Sequence, residues 1–142
     1  MTSKLNKIRL YNTLSRSIEV FSPIKEGVVA MYHCGPTVYD TPHIGNYRTF
    51  VMNDFIRRAF EYNGYEVVQA MNITDVDDKT IRRSREEKVS LAELTKKYEG
   101  LFLEGLTSLN ILPSHHLVRA TEHIPAMISL IEKLLEKDVA YI

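Results

Sequence analysis

The feature that most constrains this chain is the stretch from Val28 to Asn46. Val28-Val29-Ala30-Met31-Tyr32 is apolar on both parities, as expected for a central strand of a parallel sheet. The run breaks at Gly35-Pro36, crosses a short polar loop and reaches His43-Ile44-Gly45-Asn46, where a long amphipathic segment begins. This is a strand, a loop and a helix N-terminus. The first backbone N–H groups of a helix have no partner within it and lie at the positive end of its macrodipole, so such a loop suits phosphate. The only cysteine, Cys34, lies on one side of the loop and His43 on the other.

The flanking sequence supports an α/β fold. Ile8–Asn12 and Ser17–Phe21 alternate across a polar turn and predict a β-hairpin. A first helix is expected over Gly45–Asn63, with Phe50, Val51, Asp54, Phe55, Arg58 and Ala59 as its repeating face and Asn63-Gly64 as its stop. Tyr65–Ile73 is the next strand, which makes a right-handed βαβ unit. Lys79–Lys88 reads as a second helix, and Ser90-Leu91-Ala92-Glu93 is a capping box opening a third that runs to about Asn110. Pro113–His116 reads as a loop. Thr121 is the expected N-cap of a last helix through Lys137, with Ile124, Met127, Ile128, Ile131, Leu134 and Leu135 apolar. Val139–Ile142 reads as the start of a strand, so the chain is expected to be a fragment of a longer polypeptide.

Composition excludes several classes. Eighteen basic and 18 acidic residues balance in 142, which argues against non-specific coating of nucleic acid. No apolar run approaches the roughly 18 residues of a membrane span, so no membrane is expected. Met1–Lys7 lacks the apolar core of a signal peptide. A lone cysteine makes no internal disulfide, which fits a reducing cytoplasm.

Ligands of open α/β sheets bind beyond the carboxyl ends of the strands. Two loops lie there, Cys34–Asn46 and Asn72–Asp78, and both should face one crevice. His43 and Asn46 straddle the helix start with one turn between them, where both can donate to phosphate oxygens. Gly45 leaves room for close approach of a ligand. Cys34 reads either as a small buried hydrophobe or as a metal thiolate. No CxxC or HxxxH partner accompanies it, and His33 faces the other side of the strand. Asp75, Asp77 and Asp78 could bind magnesium, but capping the next helix is the commoner use of acids there. His115, His116 and His123 read as loop and helix-surface residues, and Arg82-Arg83 with Arg85–Lys88 as a solvated helix face. Of Tyr32, Tyr39 and Tyr47, which crowd the loop, the first is expected to pack.

These residues carry a family likeness. Tyr32-His33-Cys34-Gly35-Pro36-Thr37-Val38-Tyr39-Asp40, then Thr41-Pro42-His43-Ile44-Gly45-Asn46, then Arg48-Thr49-Phe50, resembles the signature region of cysteinyl-tRNA synthetases. Asn72-Ile73-Thr74-Asp75-Val76-Asp77-Asp78-Lys79 resembles their second block, and Leu10–Leu14 and Asn110–Pro113 are similar too. The resemblance implies the first half of a Rossmann-like (HUP-type) class I catalytic domain over residues 1–142, with a small N-terminal hairpin. It implies activation of L-cysteine by ATP with Mg, followed by transfer to tRNA(Cys), in a cytoplasmic and monomeric parent.

It also implies residue roles. His43, Gly45 and Asn46 fall on the ATP-binding His-box, with Asn46 where the family has a second His. Gly35, Thr37 and Thr74 fall on the cysteine pocket. Cys34 falls on a zinc ligand; the remaining ligands and the phosphate-binding lysine loop of the family have no counterpart here. The expectation is therefore that this chain alone neither aminoacylates tRNA nor holds zinc tightly. Two other readings share these motifs: a cysteine-activating ligase of thiol biosynthesis, and a non-catalytic synthetase-like binding module.

Overall fold

A computed structural model describes residues 7–142. The reading of Met1–Lys7 lies outside the described residues except for Lys7. The order of elements is β1 (Arg9–Asn12), β2 (Ser17–Val20), β3 (Val28–His33), α1 (Ile44–Tyr62), β4 (Glu66–Ile73), α2 (Asp78–Glu87), α3 (Leu91–Ser108), β5 (His116–Arg119), a single 3-10 turn (Thr121–His123) and α4 (Ile124–Glu136). β1 and β2 form the expected hairpin, antiparallel with Arg9 opposite Val20. β3, β4 and β5 form a parallel sheet in that order.

Two features of the sheet differ from expectation. β3 is an edge strand of the described sheet, and β4 is its centre. The segment expected to be a loop at His116 is instead the start of β5, whose residues pair with Ala70 to Ile73. Four residues are too short to show a strand period against the polar His115-His116 and Arg119 around them. His115 is the exposed loop residue expected, and it also makes two contacts. Its Nδ1 accepts from the Gln69 amide at 3.0 Å, and its Nε2 lies 3.3 Å from Arg57.

Both steps from one parallel strand to the next move the same way across the sheet, and crossovers of this kind are almost always right-handed. Both crossover helices therefore pack on one face. On β4 that face presents Val67, Gln69, Met71 and Ile73, all buried. Met71 and Ile73 join Val38, Phe50 of α1 and Leu94, Tyr98, Phe102 and Leu106 of α3 in the main core. Val29 and Val67 join Phe60 and Tyr65 in a second cluster. The buried side of α1 is Phe50, Arg57 and Phe60, while Val51 and Phe55 of the expected face are exposed. Arg57 can lie inside because Glu61, Gln69 and the Pro113 carbonyl all accept from its guanidinium.

Helix ends follow the sequence. α1 closes on Gly64 at φ +87°, with Tyr65 N–H donating to Phe60 O and Gly64 N–H to Glu61 O. α3 opens on Ser90, whose hydroxyl accepts from Glu93 N, but the reciprocal bond from Ser90 N to the Glu93 side chain is not formed, so only half of the expected capping box is present. α4 corrects two expectations. Thr121 is not its cap, because both the Thr121 amide and its hydroxyl donate to the buried carboxylate of Asp75. Val139–Ile142 is no strand, because the amides of Val139 and Ala140 turn back to Leu134 O and close the helix. None of the residues of α4 is buried.

Candidate functional site

The site is built at the carboxyl end of β3. After His33 the chain turns sharply against the end of β4. Thr74 N–H donates to Pro36 O at 3.0 Å and Val38 N–H to Thr74 O at 3.2 Å, a one-residue parallel bridge between Thr37 and Thr74. Residue 35 must be glycine here, since a Cβ would lie 1.7 Å from Asn72 O. Val38 is 1% exposed and anchors the loop in the main core. The two loops that follow β3 and β4 therefore meet, as the sequence implies.

The helix start is a reciprocal cap. His43 Nδ1 accepts from Gly45 N–H at 3.1 Å, and Asn46 Oδ1 accepts from His43 N–H at 3.0 Å. An Nδ1 that accepts carries no proton, so in the neutral ring the proton is on Nε2. The Nε2–H of His43 and the Nδ2 hydrogens of Asn46 bond to nothing among the described residues. The cap thus gives two donors a fixed base on one helix turn, beside backbone amides at the positive end of α1.

An open cleft of about 530 Å³ gathers Cys34, Gly35, Pro36, Thr37, Tyr39, Asp40, Thr41, Pro42, His43, Gly45, Asn46, Thr49, Phe50 and Lys79. Val38 is in the core and Ile44 is 78% exposed outside the cleft. Thr74 lies behind the lining, bridged to Thr37. Cys34 is exposed, which overturns the reading of it as a small buried hydrophobe. A larger recess of about 720 Å³ lies between α3 and β5, where Arg119 holds Glu99 at 2.5 Å, Asp75 holds Thr121, and Lys96 is the one ionised lining residue outside these pairs. The smaller cleft is the one that joins a thiol to the His43 and Asn46 donors at a helix start, with the Lys79 ammonium beside them.

The acids of the second loop serve structure. Asp77 caps α2 by accepting from Thr80 N–H at 2.8 Å, and Asp75 ties β4 to the 3-10 turn. Among the described residues no three His, Cys, Asp or Glu side chains come together as a metal site. Cys34 by itself is one soft donor, where a zinc site needs about four ligands. His33, next to it, is on the helix-covered side, where its Nε2 lies 3.0 Å from Gln69. Burial holds its imidazole below the ordinary histidine range, and a hydrogen bond with the Cys34 backbone only partly offsets this.

Two contributors, Lys79 and Asn72, were given no role of their own from the sequence, and a third, Tyr32, differs from expectation. Lys79 lines the cleft with its ammonium 5.4 Å from the centre of the Tyr39 ring and no carboxylate in ion-pair contact. Tyr32 does not pack; it is 69% exposed, and its hydroxyl donates to Asn72 Oδ1 at 2.9 Å. Asn72 also accepts from Gly35 N–H. The available signal was a polar amide as the last but one residue of β4, where the strand meets its loop. Tyr47, by contrast, stacks on Phe102 as a packing residue.

Comparison with known proteins agrees with the motifs. The sequence model described as tRNA synthetases class I (C) catalytic domain matches residues 20–142. The chain is 53% identical over 134 residues to a cysteine–tRNA ligase of Methanosarcina acetivorans, and 52% to that of Methanosarcina mazei. It is 49% identical to the enzyme of that name from Pyrococcus horikoshii. Each match covers 94% of this chain and 28% of the relative, so the chain spans little more than a quarter of their length. On its sequence match and its parallel α/β sheet, the chain belongs to the class I (C) tRNA synthetase catalytic-domain family.

Proposed function

We propose that residues 1–142 are the N-terminal part of the catalytic domain of a cytoplasmic, monomeric cysteine–tRNA ligase. Its reaction is activation of L-cysteine by ATP, with Mg, followed by transfer of the cysteinyl group to tRNA(Cys). The observation that carries this reading is the single cleft that holds Cys34 and the His43–Asn46 cap together. The names of the relatives support it. No helix among the described residues is long and apolar enough to cross a membrane.

In the activation step a carboxylate oxygen of cysteine attacks the α-phosphorus of ATP. The bond from that phosphorus to the bridging oxygen breaks, and pyrophosphate leaves with the electron pair. Negative charge shifts onto phosphate oxygens as this happens. His43 Nε2–H and Asn46 Nδ2–H are donors held in place before the reaction, so they stabilise that charge without reorganising. Asn46 in place of a second histidine keeps a donor at this position. Lys79 adds a positive charge to the same cleft.

Gly35, Thr37 and Thr74 shape the pocket for the cysteine side chain. Cys34 at its edge is the residue that tells sulfur from oxygen. Serine differs from cysteine by one atom, and an apolar pocket separates such isosteres poorly. A zinc ion bound there would supply a soft, sulfur-preferring contact. The described residues fit only one corner of such a site, and the isolated chain is not expected to hold the metal or to aminoacylate tRNA.

The test is cysteine-dependent ATP–pyrophosphate exchange in the full-length protein. His43→Ala is expected to lower kcat by roughly 10²–10³-fold, the usual cost of one preorganised transition-state donor. An unchanged rate would remove His43 from this role. Cys34→Ser is expected to abolish the preference for cysteine over serine; a preserved preference rules out the assignment of Cys34.

A further inference from the structure

The side chain of Asn72 joins three parts of the cleft wall. Its Oδ1 accepts from Gly35 N–H at 3.0 Å and from the Tyr32 hydroxyl at 2.9 Å, and its Nδ2 donates to Thr74 Oγ1 at 3.2 Å. A backbone amide can only donate, so the atom facing Gly35 is the oxygen, and the orientation of the side-chain amide is fixed by its partners. The Asn72 backbone carbonyl occupies the space a side chain on residue 35 would need. Backbone bonds between the turn and β4 begin only at Pro36. Nearer to Cys34, the Asn72 amide reaches from β4 to the turn and bonds to it at Gly35 N–H.

Tyr32 and Thr74 complete the arrangement. The exposed Tyr32 ring is tethered through its hydroxyl to the same oxygen that holds Gly35. Thr74 is held to the other end of the amide, one residue from the core residue Ile73. The amide therefore links Gly35, next to Cys34 on one strand end, to Thr74 on the next.

We propose that Asn72 is a positioning residue for amino-acid selection: its side-chain amide sets the placement of Cys34 relative to Thr74. This rests on the cysteine-activating reading above. Sub-ångström placement matters because misplacing a binding group by about 1 Å can cost two orders of magnitude. The nucleotide side of the cleft has its own support in the His43–Asn46 cap, so Asn72 acts on the amino acid and not on ATP.

The experiment is steady-state exchange kinetics on the full-length protein with Asn72→Ala, Asn72→Asp and Tyr32→Phe, alongside thermal unfolding of each. Asn72→Ala is expected to raise KM for cysteine roughly tenfold or more while KM for ATP stays within twofold. Asn72→Asp keeps the oxygen facing Gly35, and the Thr74 hydroxyl can turn to donate to it, so this variant should recover most of the lost affinity. Tyr32→Phe removes one of two donors to that oxygen, and a two- to threefold rise in KM for cysteine is expected. It keeps the test decisive if Asn72→Ala does not fold. KM values for cysteine and ATP that rise together, or KM for cysteine unchanged in both Asn72→Ala and Tyr32→Phe, overturn the positioning role. No cysteine-dependent exchange in the unsubstituted protein overturns the parent reading and this inference with it.

Discussion

The two faces of the β3-β4-β5 sheet are built from equally apolar strands and end up in different surroundings. On the first face Val67, Gln69, Met71 and Ile73 are no more than 6% exposed beneath α1 and α3. On the second face Val68, Ala70 and Asn72 are half-buried, and Ala30 and Tyr32 are exposed. No residue of that second face joins either buried cluster. The cause is topological: two crossovers in the same direction, each following the right-handed rule, place both helices on one side. The difference separates two kinds of sequence signal. Apolar character on both parities reports what a strand is suited to, and burial reports which layers this chain supplies. The cleft is at the end of the sheet where the two faces meet, with its loop anchored from the covered side by Val38 and from the open side by Asn72.

The sharpest way to break this comparison is to empty each face in turn. Phe102 is fully buried, 4.8 Å from Phe50 between ring centres. Phe102→Ala should destabilise by about 3–5 kcal/mol, as large-to-small core changes do. Ala30→Ser on the open face should change stability by less than about 0.5 kcal/mol. Urea unfolding of both variants checks this, and similar losses for the two would mean that the faces are not energetically distinct.

A smaller effect separates two glycines. Gly35→Ala drives a methyl into the Asn72 carbonyl, so the turn must move off β4, at a cost of about 1–3 kcal/mol. Gly100 lies inside α3, and a Cβ there meets nothing within 4 Å. Gly100→Ala should therefore stabilise by roughly 0.5–1 kcal/mol through helix propensity. Opposite signs in thermal unfolding support the close approach at Gly35; a neutral Gly35→Ala would show that the turn is not held tightly.

Much of the fold could be read in advance, for identifiable reasons. The hairpin, β3, β4 and the first three helices carry long periodic runs or caps, such as Asn63-Gly64 and Ser90, whose chemistry is local. His43 and Asn46 were legible as a pair because one helix turn sets their spacing. What escaped was non-local. β5 is short, and its pairing with β4 depends on a partner more than 40 residues away. Thr121 looks like a cap until Asp75, 46 residues earlier, takes its hydroxyl. The buried side of α1 was displaced because Arg57, polar in sequence, is neutralised by partners from three segments. Tyr32 and Asn72 bond across two strands, which no local pattern encodes.

The mildest probe acts at the outer edge of the covered face, where α2 meets α3. Glu87 accepts from the Tyr98 hydroxyl at 2.8 Å, from Arg83 at 2.7 Å and from Lys97 at 3.2 Å. These partners, the Tyr98 hydrogen bond first, lower its carboxyl to about 2 from an ordinary value of 4.5. The folded state therefore binds this proton less readily than the unfolded state. The stabilisation is complete above about pH 4.5 and is lost progressively as pH falls towards 2. Glu87→Gln keeps an acceptor for Tyr98 but has no charge to lose. The urea midpoint of the unsubstituted protein should therefore fall more steeply between pH 4.5 and 2 than that of the variant, and added salt should narrow the gap because Lys97 is exposed and Glu87 and Arg83 are only half-buried. Ala30→Ser should leave the slope unchanged, since no charged group of the Glu87 cluster is on its strand. Equal slopes with and without Glu87 would show that the α2–α3 contact is held by Tyr98 packing and not by charge.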